Sequence, residues 1–257
     1  MSSLLGSVLR GVAKAVDGAG LALQSPYGVK GTLNKAQTLL PFKGSSPQLG
    51  AGAFVAPSAS VIGSVTLAPE SSVWYGAVVR ADVGEVSIGE KASILENAVV
   101  HVAKHNPAGT ARGARVGAGA VVAQGAVVHA ADVGAGAVVG MGATLLDGSK
   151  LEDGALLAAG SVLSPGAVVP SGAVWAGTPA RHLRDLSAPE RAFLARVGDS
   201  GAALAAIHAA EMTKGFNAVE LDDARREDRA ERDPDYDLAS GVERDHITRE
   251  IVASANH

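Results

Sequence analysis

From Val55 onward, aliphatic residues return every six positions: Val55, Val61, Leu67, Val73 and Val79, then Ile88, Ile94 and Val100, then Val116, Val122 and Val128. After a slip of one residue the count resumes at Val133 and runs through Val139, Leu145, Leu151, Leu157, Leu163, Val169 and Trp175. A helix repeats every 3.6 residues and a half-buried strand alternates with period two, so neither explains a strict six. A hexapeptide β-helix does: each short face of a triangular prism takes one inward aliphatic residue, and three hexapeptides close one coil. Glycine confirms the register. It follows three residues after each inward position from Val133 onward, at Gly136, Gly142, Gly148, Gly154, Gly160, Gly166 and Gly172, where a prism corner demands a sharp turn and positive φ.

The pattern therefore predicts an all-β, left-handed parallel β-helix over residues 51–180, the hexapeptide class being an exception to right-handed parallel crossovers. Each layer of such a stack is buried only by its neighbours, so its ends need caps and its flat faces invite trimerisation. The repeat breaks twice, around RADVGE between Val79 and Ile88 and at HVAKHNPAGTARGAR between Val100 and Val116. Loops that interrupt a rigid scaffold tend to carry function.

Residues 1–50 read as an amphipathic extension. Leu5, Leu9, Val12, Val16 and Leu23 recur at near-helical spacing beside Arg10 and Lys14, and Asp17 is the only acid before Pro69. This suits a mitochondrial targeting segment, a membrane-surface helix or a helix that packs on a protein partner. In residues 181–257, Ser187 with Glu190 three positions on is a capping-box signature. Leu204, Ile207 and Met212 continue helical spacing after a break near Gly198 to Gly201, which predicts a helix packed along the prism. The run DDARREDRAERDPDYD mixes both signs and reads as a solvated helix, a disordered tail or a docking segment.

Composition narrows the chemistry. With 47% hydrophobic but only 4% aromatic residues, the core is aliphatic. A net charge of −4 and no basic stripe exclude nucleic acid as a partner. There is no cysteine, so any metal must be held by His, Asp or Glu.

Val100 and Val128 are inward positions, and each is followed by a histidine, His101 and His129. The 28 residues between them equal one coil plus a ten-residue insertion, so the two imidazoles stack on one face about 4.8 Å apart and can share a zinc ion. They cannot complete a site alone. Gln124 lies round the preceding corner, pointed toward a neighbouring subunit, so a third ligand must be lent across a trimer interface.

The stretches VWYGAVVRADV, ENAVVHVAK, VVAQGAVVHAADV, VGMGATLLDG and VWAGTPARHLRDL resemble the gamma-class carbonic anhydrases over roughly residues 53 to 186. AAIHAAEMTKGF and GVAKAVDGAGLALQ further resemble the gamma carbonic anhydrase subunits of mitochondrial respiratory complex I in plants and green algae. The resemblance implies a zinc ion held by two histidines of one chain, matched by His101 and His129, and one of the next, whose position falls on Gln124. It also implies that Leu95 stands where a glutamine orients the bound hydroxide. Glu96 replaces a common aspartate and retains acid-base capacity, or is only a surface carboxylate. Arg80 and Asp82 match an RGD-like pair that forms salt bridges across the trimer interface, with Ala81 in place of glycine. His105 departs from a small polar residue and is read as a surface histidine.

Three expectations follow from the resemblance. One is a structural, catalytically silent or weak subunit of a heterotrimer with two other gamma carbonic anhydrase-type chains. It would sit on the matrix side of the mitochondrial inner membrane, against membrane-arm subunits of complex I. Another is an active zinc carbonic anhydrase, with zinc bound only where a neighbour supplies the missing histidine. The third is a hexapeptide acyltransferase with a histidine base, for which two stacked histidines are a poor fit.

Overall fold

The structure is a computed structural model that describes residues 12–13, 15–16, 19–20, 38–104, 112–231, 242–244 and 251–254. Two compact units divide the chain, Met1–Gln37 and Thr38–His257. In the first, the described residues between 12 and 20 are helical, and Val12 and Val16 are exposed. Leu5, Leu9, Leu23, Arg10, Lys14 and Asp17 lie outside the described residues.

The second unit is a left-handed parallel β-helix. Pairing begins ahead of residue 51, with Leu39 opposite Val61 and Gln48 opposite Thr66. Short strands then stack on three faces. On the first, Phe54–Val55 opens an eight-stranded sheet that the antiparallel strand Ala180–Asp185 ends. The inward residues form aliphatic columns, so Val61, Val79, Val100, Val128, Leu145 and Leu163 are fully buried one above another. Every residue of the hexapeptide count has a stacking partner one coil away, which is why the period had to be strict.

The corners obey the glycine register. Gly136 through Gly172 all have positive φ, as do Gly119 and Gly125. In the early coils Glu70, Lys91 and Asn97 take the same left-handed conformation without being glycine. The one-residue slip is localised too: the corner after His129 has lost a residue, and buried Ala130 is driven to a φ of 47° to close it. The RADVGE slip is absorbed within the long strand Val78–Ile88, which turns the corner between the second and third faces. The other interruption leaves and returns through a bridge between Ala103 and Arg112. His105 lies outside the described residues.

The outward rows differ by face. On the first, Phe54, Ser72, Ser93, Val121 and Val174 are buried. On the second, Val78, Val99, Val127 and Val162 are half-buried, and on the third, Thr66, Ser87, Arg115 and Lys150 are exposed.

The first face is covered by a helix, Ala188–Met212. Its N-terminus carries the expected capping box: the Glu190 carboxylate accepts from the Ser187 backbone N–H and hydroxyl, both at 2.8 Å, and from both arms of Arg184. The helix does not break at Gly198 to Gly201. It runs straight through, because those glycines serve packing rather than termination. A Cβ on Gly198 would sit 2.6 Å from the Gly119 Cα, and one on Gly201 would sit 2.6 Å from the Ser93 hydroxyl. Bare backbone lets the helix lie directly on the prism. At about 1.5 Å per residue its 25 residues span about 37 Å, enough to cover every coil at about 4.8 Å per layer. Farther along, His208 packs edge-on to Trp74 at 4.9 Å and pairs through Nδ1 with the Tyr75 hydroxyl at 3.0 Å. A second helix, Phe216–Glu231, carries much of the mixed-charge run, with Lys214 bonded to Asp222 at 2.6 Å.

Candidate metal centre at the second face

His101 and His129 are register partners on adjacent strands, Val99–His101 and Val127–His129, with ring centroids 5.2 Å apart. The stack read from the 28-residue spacing is present. Both follow a fully buried valine, so both point outward, and the same row continues to Arg80 on the strand below. A pocket of about 350 Å³ opens there, lined by Asp82, Val83, His101, Val102, Lys104 and His129.

Each imidazole is held by a charged neighbour. Nδ1 of His129 lies 2.5 Å from Oδ1 of Asp147, a carboxylate one coil further on. An ionised carboxylate only accepts, so Nδ1 carries a proton, and in the neutral ring the lone pair is on Nε2. His101 is held differently. Its Nε2 lies 2.7 Å from an Arg80 Nη2, which only donates, so this nitrogen also presents a lone pair. Burial, followed by the positive charge of Arg80, lowers the His101 pKa and favours its neutral form. Asp82 lies 3.4 Å from the same Nε2 and 3.6 Å from the Arg80 Nε, and its Oδ1 is buried without a hydrogen bond.

These features fit two-thirds of a zinc site. A ligating histidine must be neutral, and it commonly donates its other ring N–H to a carboxylate, as His129 does to Asp147. The remaining third is not found among the described residues. Among the described residues, no group of three or more His, Cys, Asp or Glu side chains converges to hold a metal. Gln124 is exposed on the corner between the first and second faces, where its main-chain carbonyl accepts from the Gly142 N–H. It carries no imidazole or carboxylate. Leu95, half-buried against the core, cannot orient a hydroxide. Glu96 sits one rung from Gln124 on the same corner, its carbonyl accepting from the Gly125 N–H, and its Oε2 is buried without a partner.

Asp147 was not singled out from the sequence. The one-residue slip hides it: Val128 stacks on Leu145, so Asp147 lies one residue past the rung of His129, on the following corner. Arg112, whose Nη2 meets Asp132 at 2.7 Å and pins the end of the loop to the third face, was likewise unread.

No protein-family model matches the chain. Among proteins of known name, gamma carbonic anhydrase 2, mitochondrial, of Arabidopsis thaliana is 40% identical over 241 residues, covering 94% of this chain and 87% of the relative. Gamma carbonic anhydrase 1, mitochondrial, of the same plant is 39% identical over 94% of this chain and 88% of the relative. Among solved structures, a hexapeptide transferase family protein from Anaplasma phagocytophilum superposes with a TM-score of 0.61 at 36% identity, covering 65% of this chain and 96% of that one. With near-full-length identity of this order and the paired histidines on the second face, the chain belongs to the gamma carbonic anhydrase family.

Proposed function

We propose that this chain is a structural gamma carbonic anhydrase-like subunit, catalytically silent or weak by itself, within a heterotrimer of gamma carbonic anhydrase-type chains. Gln124 carries the reading. It occupies the position from which the family lends a histidine to the next chain, and a neutral amide is a poor zinc ligand. Zinc, where three histidines hold it, lowers the pKa of a bound water so that hydroxide forms near neutral pH. Leu95 removes the group that would orient that hydroxide, and losses of this outer kind alone cost about 10- to 100-fold. Arg80 and Asp82, the interface pair implied by the family, are retained. The likeness to chains named mitochondrial supports a mitochondrial location. Residues 11–24 and 205–216, through their resemblance to complex I subunits, support attachment to the membrane arm on the matrix side of the inner membrane.

A second reading has one specific observation in its favour. The Asp147 carboxylate still holds His129 with Nε2 free, so this chain can offer His101 and His129 to a neighbour that brings its own histidine. Such an interface would bind zinc and hydrate carbon dioxide. Elemental analysis of the chain purified alone, and again within its native assembly, separates the two. The structural reading expects less than about 0.1 zinc per copy in both, and stoichiometric zinc in the assembly would replace it with the active reading.

A further inference from the structure

The third face carries a cavity of about 660 Å³ on its outer side, floored by two columns of the sheet. One column runs Thr66, Ser87, Arg115 and Asp132, register partners on successive strands. The other lies two residues back on the same strands and runs Ser64, Glu85 and Gly113, since strand residues two apart share a side of the sheet. A Cβ on Gly113 would meet the Glu85 carbonyl, so this column keeps a gap where a side chain would stand. Arg112 walls the cavity, with its Nη2 on Asp132 at 2.7 Å and its Nε buried without an acceptor. The charges here are unevenly committed. Arg112 and Asp132 neutralise each other, whereas Arg115 and Glu85 are both exposed and make no ion pair or hydrogen bond among the described residues. The hydroxyls of Ser64, Thr66 and Ser87 are equally without a partner there.

We propose that this cavity binds a small polar zwitterion of the amino-acid class, its carboxylate on the Arg115 guanidinium, its ammonium on the Glu85 carboxylate and its side chain on the neighbouring hydroxyls. Glu85 and Arg115 sit diagonally, one strand and two residues apart, which sets their backbones about 8 Å from each other. An α-amino acid holds its two charges about 3 Å apart, and a charge-assisted hydrogen bond of about 2.8 Å at each end bridges that span. Charge selects the class. A plain anion satisfies Arg115 but is repelled by Glu85, and a plain cation meets the reverse, while two guanidiniums against two carboxylates leave the lining neutral. An apolar ligand finds no surface, because Val86 and Ala114 turn into the core, and no aromatic ring lines the cavity to stack a sugar or a base. His101 and His129 project from the second face, so the inference stands independently of the metal reading.

Isothermal titration calorimetry of the full chain tests it, with L-glutamine, whose uncharged amide suits the hydroxyls, and with acetate and methylammonium as single-charge probes. L-Glutamine is expected to bind at least about ten-fold more tightly than either. Arg115→Gln and Glu85→Gln, both at exposed positions, are each expected to weaken it by at least about ten-fold. Lys150→Gln, next along the column past Asp132, is expected to change it by less than about two-fold. Unchanged circular dichroism shows that each variant is folded. Acetate bound as tightly as L-glutamine, with Glu85→Gln harmless, reduces the cavity to an anion site and overturns the proposal. No binding of L-glutamine at millimolar concentration, or binding that survives both substitutions, overturns it as well.

Discussion

The Arg80 guanidinium rests 2.7 Å from Nε2 of His101, the nitrogen that a shared metal would take. The contact follows from register, because Arg80 and His101 are partners on adjacent strands. With Asp147 on Nδ1 of His129, the two rings share one tautomer, protonated on Nδ1 with Nε2 unprotonated. Long-range proton–nitrogen NMR at pH 7.5 on the metal-free protein is expected to report that tautomer for both. An Nε2–H signal from either ring would contradict the geometry.

Gly198 is where propensity and packing disagree. Glycine to alanine in an exposed helix stabilises by about 1 kcal/mol, yet at Gly198 the new methyl would meet the Gly119 backbone at 2.6 Å. Gly198→Ala is expected to destabilise by about 1–3 kcal/mol in chemical denaturation, as overpacking does. Gly201→Ala, facing the movable Ser93 hydroxyl, is expected to cost less. A gain in stability at Gly198 would show that the helix stands off the prism.

The helix start is pH-sensitive in a stated direction. Arg184, with help from the Ser187 N–H and hydroxyl, holds the Glu190 carboxyl down to about 2 from an ordinary 4.5. Because the folded pKa is depressed, the stabilisation is complete above about pH 4.5 and is lost as pH falls toward 2. Glu190→Gln is expected to lower Tm by about 2 °C at pH 7, a cap-sized effect for a domain of this length. That difference should vanish near pH 2. A constant difference across the range would rule out the charged cap.

Much of the fold was written in one column of the sequence. Each inward aliphatic residue stacks on another a coil away, so the six-residue period, both interruptions and the His101–His129 stack are legible in the sequence. The glycines that resisted reading serve the third dimension. Gly198 and Gly201 look like a helix break in one dimension and prove to be a packing surface, a distinction that depends on Gly119 and Ser93 lying opposite. Ala130 carries the slip as a left-handed alanine, a conformation alanine rarely adopts. Asp147 escaped because a carboxylate in a corner turn has many uses, and only the stacked register brings it to His129. Gln124 was legible because a resemblance assigned the position, and the structure adds that it is exposed on the corner between the first and second faces.

On the function proposed above, this chain keeps two zinc ligands and has lost the one it would lend. Zinc content per chain, measured on the purified Gln124→His protein beside the wild type, is the decisive measurement. A rise from near zero to about one zinc per chain is expected, because His101, His129 and a neighbour's restored histidine would complete a three-ligand site. Zinc content unchanged by the substitution would contradict it and remove Gln124 from the metal centre.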